Sequence, residues 1–359
     1  MPINLADKYS TQIDKRFTRK SITDAYAGKE YDFDGVKSIK IYSLDSVPMN
    51  DYTRSGLQRF GTPIDLGDTL QEMIITKDRA FTFIIDKGNN QEQYNIKKSA
   101  ERLRNQMDEV VTPEIDRYRL QRWAEGFGQG VVSTDKLTAD TITEAILRGT
   151  LALSNALVPR ANRTLFVRES VYIYVKLNDR LRDSAKLTEQ ALIRGEVGKM
   201  DGMPVVAVPD SYFPDGISFM IKYKGSSVDP VKLNDLRTHT DPVGVSGEVM
   251  EGRFIYDSFV LGNKANGIYL HGAKEKTSDP VPFVKPPEIN ITGRNATIDV
   301  GTGNPPVLVT TDRSNPKTSN SATGQVSYTN LLPGTVVRAA FYTPGGALAG
   351  QSPIAQKIV

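Results

Sequence analysis

From Tyr94 to Trp123, apolar side chains fall at Ile96, Ala100, Leu103, Met107, Val110, Val111, Ile115, Tyr118 and Trp123. Nearly every step is three or four, which predicts an α-helix with one buried stripe. At about 1.5 Å per residue a continuous helix over this span is ~45 Å long, more than a small globular domain needs. Such a rod suits a subunit stretched thin over a surface; a core helix of an ordinary α+β domain is the plainer reading. Pro113, after Thr112, removes a backbone donor and disfavours helical geometry just before it, so the rod is expected to bend there.

Upstream the period changes. Val36 to Leu44 alternates, with Ile39 and Ile41 on one face and Lys40 and Tyr42 on the other, which predicts a strand. The run Met73 to Ile85 is a second strand that could pair with it. Between them, Asp45 to Leu70 is rich in Gly, Pro, Asp and Arg and poor in apolar residues. Long loops of this kind are usually functional or flexible, and this one reads as an arm that reaches a neighbour.

Downstream, Ala139 to Leu157 reads as a helix starting near Thr138 or Asp140 and ending before Pro159, and Thr164 to Val175 as a strand-like segment. Val205 to Val208, bounded by prolines, and Phe219 to Tyr223 read as short buried strands. Gly126 to Gly130 follows the long helix and fits a helix end and turn better than a phosphate loop.

The chain has 359 residues, 39% hydrophobic, enough for one sizeable core and a smaller second one. Without cysteine there are no disulfides, zinc-thiolate sites or cysteine nucleophiles. The start, Met1-Pro2-Ile3-Asn4, carries no signal pattern, and no apolar run approaches the roughly 20 residues that cross a bilayer; the expectation is a soluble intracellular product with no membrane partner. A net charge of +3 is too balanced for nucleic-acid binding by the whole chain.

Candidate chemistry is sparse. The two histidines, His239 and His271, are far apart in sequence. Gly195-Glu-Val-Gly198-Lys199-Met200 lacks the spacing of a phosphate loop and the Ser or Thr that would hold magnesium. Ser246 in Gly244-Val-Ser-Gly247 lacks the spacing of a nucleophile elbow. Asp108 and Glu109 are adjacent on the helix and point apart. The expectation is no enzyme, no cofactor and no metal.

Several segments in order carry a resemblance. They are the polar N-terminus, the long hairpin, the helix with Val110-Val111-Thr112-Pro113-Glu114-Ile115-Asp116, then Gly202-Met203-Pro204-Val205-Val206-Ala207-Val208-Pro209, and finally Tyr256-Asp257-Ser258-Phe259-Val260 with Asn266-Gly267-Ile268. Over residues 1–275 the chain resembles the major capsid proteins of tailed bacteriophages, the HK97-like fold. The resemblance implies an α+β architecture: an N-terminal arm (1–34), an extended β-hairpin loop (35–88), and a capsid core (89–275) holding a long spine helix and peripheral and axial domains. It implies a homo-oligomer of hexamers and pentamers in an icosahedral shell, with scaffolding, portal and decoration proteins as further partners. It places the protein in the virion, and in the host cytoplasm during assembly.

Candidate inter-subunit contacts are Lys15, Arg16, Arg19 and Lys20 in the arm and Arg54 and Arg59 in the loop, with Pro113 as the spine-helix bend. The basic arm reads first as a solvated terminus. As an arm it would lie on neighbouring subunits or face packaged double-stranded DNA, non-specifically. Some members of the family join subunits by Lys–Asn isopeptide bonds; here Lys37, Lys40 or Lys77 would be donors and Asn263 or Asn266 acceptors, although no motif aligns them.

The end of the chain is different material. Pro280, Pro282, Pro286 and Pro287 mark a stiff linker (276–287). Beyond it, residues 288–359 hold only eight of the chain's 87 charged residues, so charge density falls by more than half and a domain boundary is expected. Short alternating segments separated by turns predict a small all-β sandwich. It resembles the immunoglobulin-like domains appended to phage virion proteins, especially in Leu331-Leu332-Pro333-Gly334-Thr335-Val336-Val337. The expectation is an independently folding module that stands off the shell and binds host-surface or mucus glycans. An encapsulin-like shell protein and a virion or cell-surface adhesin are the alternatives.

Overall fold

The computed structural model describes residues 20–28, 38–44, 49, 51–61, 68–88, 99–133, 137–177, 196–273, 283–301, 304–312, 315–317, 319, 321–342 and 351–359. The chain enters through a short 3-10 turn, Asp24–Tyr26, and then forms β1 (Ser38–Leu44), β2 (Asp68–Ile74) and β3 (Lys77–Asp86). A helical rod follows, made of α1 (Ser99–Gln106), a π-helical turn (Met107–Val111) and α2 (Thr112–Glu125). Next come β4 (Gln129–Ser133), α3 (Thr141–Asn155), β5 (Arg163–Arg168), α4 (Glu169–Leu177), β6 (Glu196–Met200), β7 (Met203–Val208) and β8 (Ile217–Tyr223). The sequence continues with β9 (Ser227–Val228), β10 (Val231–Thr240), β11 (Gly247–Tyr256), β12 (Phe259–Val260) and β13 (Ile268–Ala273). The last fifth adds β14 (Glu288–Thr292), β15 (Asn295–Asp299), β16 (Val307–Thr310), β17 (Ser327–Tyr328), β18 (Val336–Phe341) and β19 (Ala355–Ile358).

The apolar run Met73 to Ile85, expected as one strand, is two. β2 pairs antiparallel with β1, Ser38 opposite Ile74 and Leu44 opposite Asp68, whereas β3 is the edge of a separate sheet ordered β10-β11-β3. The break falls at Thr76, whose amide and hydroxyl both donate to Asp257 Oδ2 at 2.8 and 2.9 Å. Those bonds draw the backbone out of the ladder, while Met73 and Ile75 bury against Val228, Phe259 and Leu261.

The rod is helical from Ser99 to Glu125, but not uniformly α. At the π turn the Thr112 amide donates five residues back, to the Met107 carbonyl. Thr112 and Val111 both keep helical angles, so the expected disfavouring of helix before Pro113 is corrected: the local widening and the position of Pro113 at the start of α2 accommodate the missing donor. The extra residue also shifts the phase of the stripe. Val110, expected inside, is exposed, and Leu120 is fully buried. The rod therefore has two buried faces. Met107, Val111, Ile115 and Tyr118 pack on Phe81, Phe254 and Tyr256 of the β10-β11-β3 sheet, and Leu120, Trp123 and Ala124 enter the main core.

That core lies on a six-stranded sheet ordered β4-β13-β8-β5-β7-β6, mixed because β4–β13 and β5–β7 are parallel. One set of its side chains, including Phe166, Val206, Met220 and Leu270, meets α2. A second set, including Leu165, Val205, Phe219 and Ile221, meets α3, through Ile142, Ile146 and Leu153, and α4. The expected strand Thr164 to Val175 is a strand only to Arg168 and a helix beyond. Val171, Ile173 and Val175 alternate, but Tyr172 and Val175 are the buried pair and Ile173 is exposed; the three-residue spacing of the helix overrides β-branched propensity.

The C-terminal fifth forms two three-stranded antiparallel sheets, β14-β15-β17 and β16-β18-β19, closed over one apolar cluster of Ile289, Ala296, Ile298, Val309, Val337, Ala339 and Phe341.

Candidate assembly surfaces

The loop joining β1 to β2 carries the first candidates. Of its described residues, 49 and 51–61, the run 51–61 folds back on itself: the Thr53 amide donates to the Arg59 carbonyl (3.1 Å), Arg59 Nε donates to the Gly56 carbonyl (3.2 Å), and the Tyr52 and Phe60 rings meet edge-on at 5.0 Å. Arg54 and Arg59 are exposed. Of the loop's few large apolar groups, Met49, Leu57 (97% exposed) and Phe60 (85%) stand in water. Exposed large apolar groups at one tip mark a surface for contact.

Lys20 is exposed at the start of the described N-terminal segment; Lys15, Arg16 and Arg19 lie outside the described residues. The following residues are clamped. Asp116 on α2 accepts from Ser21 Oγ (2.7 Å), the Ile22 amide (2.9 Å) and Thr23 Oγ1 (2.5 Å). Arg119, one turn on, donates to Thr23 Oγ1 (3.3 Å) and pairs with Asp24 (3.4 Å). Lys222 on β8 donates to the Tyr26 carbonyl at 3.0 Å and lies 4.2 Å over the Trp123 ring; burial pushes its ammonium down to about 8, partly offset by the charge of Asp229. Asp229 accepts from the Gly28 amide (2.9 Å), Trp123 Nε1 (2.8 Å), Ser227 Oγ (2.7 Å) and Ser258 Oγ (2.5 Å). All four charged side chains are buried, where a charge without a partner is costly. None was picked out by sequence reasoning. The available signal was Asp116 in phase with Leu120 and Trp123, a carboxylate on an apolar face.

A second hub ties the rod to the sheets. Asp257 accepts from Tyr118 OH (2.7 Å) as well as from Thr76, and Glu114 accepts from Tyr256 OH (3.1 Å) and pairs with Arg79 (2.8 Å). Burial and the Asp257 charge push the Tyr118 hydroxyl up.

The C-terminal sheets do not stand apart from the rest, which corrects the expectation of a stand-off module. Phe283, within the proline-rich stretch, buries in the main core and meets the Phe127 ring at 4.9 Å, and Ala340 and Ile354 join the same core. The Ile354 amide donates to the Gly128 carbonyl (3.3 Å). Lys317, in the loop between β16 and β17, reaches the end of α2: its Nζ donates to the carbonyls of Glu125 (3.0 Å) and Phe127 (3.4 Å) and sits 4.0 Å over the Phe127 ring. The last carbonyls of a helix carry partial negative charge and suit a cation.

The other candidate residues are engaged structurally. Lys77 lies over the Tyr118 ring at 5.1 Å, and the Asn266 carbonyl accepts from Gln129; Lys37 and the side chains of Lys40 and Asn263 lie outside the described residues. His239 pairs with Glu251 at 3.3 Å on an exposed strand, and His271 is buried, stacked on Phe219 at 4.7 Å. Among the described residues no cluster of three or more His, Asp or Glu could hold a metal, and no helix is long and apolar enough to cross a membrane.

The fold is shared with solved structures from phages. A structure from Mycobacterium phage Che8 aligns with a TM-score of 0.59 at 14% identity, covering 76% of this chain and 98% of that one. The capsid structure of the cyanophage P-SCSP1u aligns with a TM-score of 0.61 at 12% identity, covering 76% and 94%. The mature capsid of bacteriophage PhiM1 aligns with a TM-score of 0.59 at 11% identity, covering 76% and 93%. No family model and no curated protein matches the sequence. At such identities the likeness is one of fold: this chain has the α+β fold of phage capsid structures.

Proposed function

We propose that this chain is a structural subunit of a phage head, an HK97-like major capsid protein that self-assembles as hexamers and pentamers into an icosahedral shell around double-stranded DNA. One observation carries the reading: the chain matches nearly the whole length of solved capsid chains, 94% and 93% of them. The physical layout supports it. A two-faced rod bridges two sheets, and a long hairpin presents Leu57 and Phe60 to water, an arrangement suited to covering a surface and gripping a neighbour. The function is binding and assembly, with no reaction.

The two C-terminal sheets are taken as an immunoglobulin-like domain. Their anchoring at Phe283 and Lys317 favours a fixed place on the subunit over free display on a tether, and contact with host-surface glycans would then come from whichever face the shell leaves open. Expression of the protein alone, followed by negative-stain electron microscopy, tests the assignment: closed shells or ring-shaped capsomers are expected, and a monodisperse monomer at all concentrations and salts would overturn it.

A further inference from the structure

The sheet β10-β11-β3 is open on both sides, and its two edges differ in charge pattern. β10 (Val231–Thr240) contains no proline, and its one irregularity lies between Val231 and Leu233. Among the described residues no strand pairs with its outer side. Such an edge presents unpaired amides and carbonyls to any strand that meets it. Phe254 and Tyr256 turn to the rod, so by alternation Arg253 and Glu251 lie on the opposite face. Their cross-strand partners on β10, Asp235 and Arg237, share that face and form an ion pair at 2.8 Å. Leu236, on the rod side, is 39% exposed at the rim of the sheet. Charge guards an edge when it repels a copy of itself; two signs at alternate positions do the reverse in one register.

We propose that β10 joins β10 of a second copy of the chain, antiparallel about a two-fold axis at Leu236, to make one continuous six-stranded sheet. In a two-fold contact residue i meets j while j meets i, and residues that face each other across an antiparallel pair share the same hydrogen-bonding parity. Only residues an even number apart can therefore meet. Centred on Leu236, the pairing sets Asp235 against the partner's Arg237 and Arg237 against the partner's Asp235. Each row across the seam then reads Arg253, Asp235, the partner's Arg237, the partner's Glu251, alternating in sign throughout. Opposite charges directly across a pair stabilise it and like charges oppose it. Moving the axis to Asp235 or to Arg237 sets like against like, so the register is specified. The other edge has no such register: on β3 the bases Lys77 and Arg79 fall at odd positions and the acids Asp78 and Asp86 at even ones. The rod leaves room for the contact. It packs on Phe81, Phe254 and Tyr256 of β3 and β11, so two rods would lie ~19 Å apart at about 4.8 Å per strand, beyond the roughly 8–10 Å of packed helices. The contact needs only two copies of the chain and does not depend on a shell.

The full chain has no cysteine, so an introduced thiol reports alone. Across the axis the two Leu236 Cα atoms would stand about 4.5–5.5 Å apart, within disulfide reach. The two Thr238 Cα atoms would be offset by four residues, ~14 Å at about 3.4 Å each, and out of reach. Leu236→Cys should melt as the native chain does and give a covalent dimer on mild oxidation, while Thr238→Cys should stay monomeric under the same oxidant. Charge reversal supplies an independent measurement by sedimentation. Arg237→Asp and Asp235→Arg should each weaken dimerisation at least about tenfold, through like charges set across the seam. An equimolar mixture of the two variants should dimerise again, because each edge is then of one sign and complements the other. No disulfide from Leu236→Cys, equal crosslinking from both thiols, or a mixture that associates no better than its components would overturn the proposal. The shell reading is decided apart from it. Particles in which Leu236→Cys never crosslinks would keep that reading and end this contact, and a crosslinked dimer that builds no particle would do the opposite.

Discussion

Lys317 Nζ donates to the Glu125 carbonyl at 3.0 Å, so a side chain from the C-terminal sheets closes the end of the rod helix. Burial holds its ammonium well below the usual lysine value, with the Glu125 charge opposing. Replacing it by Met keeps the stem on Phe127 and removes the donors. Lys317→Met should lower stability by about 1–2 kcal/mol at neutral pH, the scale of losing partners for buried carbonyls. The folded-state value lies below the unfolded one, so the unfolded chain holds this proton more tightly and native stability rises with pH up to the unfolded value. The gap between native and Lys317→Met urea midpoints should therefore widen from pH 7 to pH 9.5; a constant gap would show that Lys317 is not buried in solution.

The same contacts bear on truncation. Ending the chain after Lys274 strips Phe283, Ala340 and Ile354 from the main core. Deleting large buried groups costs about 3–5 kcal/mol for one aromatic alone. The shortened chain should melt well below the full one in calorimetry, and an unchanged melting temperature would return the C-terminal sheets to the status of a free module.

Much of this architecture was legible in the sequence, and the failures share a cause. The rod was legible because its apolar steps persist from Ala100 to Trp123. The π turn was not, since one extra residue leaves steps of three and four intact while rotating everything after it, which is why Val110 faces water and Leu120 does not. The run from Met73 to Ile85 hid its break because Thr76 is turned aside by Asp257, 181 residues away. The C-terminal strands were legible from alternation, but their docking was not, because Lys317 has the composition of a surface residue and its burial depends on a helix end elsewhere. Asp116, Arg119, Lys222 and Asp229 are buried charges satisfied by long-range partners, and no local pattern encodes such pairing.

His271 supplies an acid-side test. Stacked on Phe219 and buried, it has its imidazolium form disfavoured, with the pKa lowered to about 4. As pH falls from about 6.5 the unfolded chain protonates first, so stability is full above that value and is lost between it and the folded value, by roughly 3 kcal/mol at most. His271→Phe keeps the stacked ring and removes the proton. Its denaturation midpoint should change less than that of the native chain between pH 7 and pH 4, and parallel losses in the two proteins would assign acid sensitivity elsewhere.

At the loop tip, folding and assembly should separate. Leu57 and Phe60 are almost fully exposed, so Leu57→Ser with Phe60→Ser removes nothing from a core, and the change in stability should stay within about 0.5 kcal/mol. Assembly should fall sharply, because apolar groups that meet a partner are buried only in the complex. Light scattering and microscopy of the double variant read this directly; normal shells with the normal melting curve would deny the tip any role in joining subunits.

Two features of the rod would each curve it. Pro113 lacks an amide proton, while the π turn before it inserts one residue between two packed faces. Pro113→Ala returns a donor without changing residue count, so Met107 and Val111 on one face and Leu120 and Trp123 on the other stay in phase and the wide turn is retained. Deleting Val110, which is exposed, removes the inserted residue instead: Met107 and Val111 then stand three apart, still on one helical face, and a continuous α-helix becomes available. Each variant should fold with stability within about 1 kcal/mol of the native chain. The deletion, which relieves the interruption that bends helices, should alter particle diameter or yield more than Pro113→Ala does. A larger effect from Pro113→Ala would assign the role to the proline, and native-size shells from both variants would free this stretch of the rod from any part in setting shell geometry.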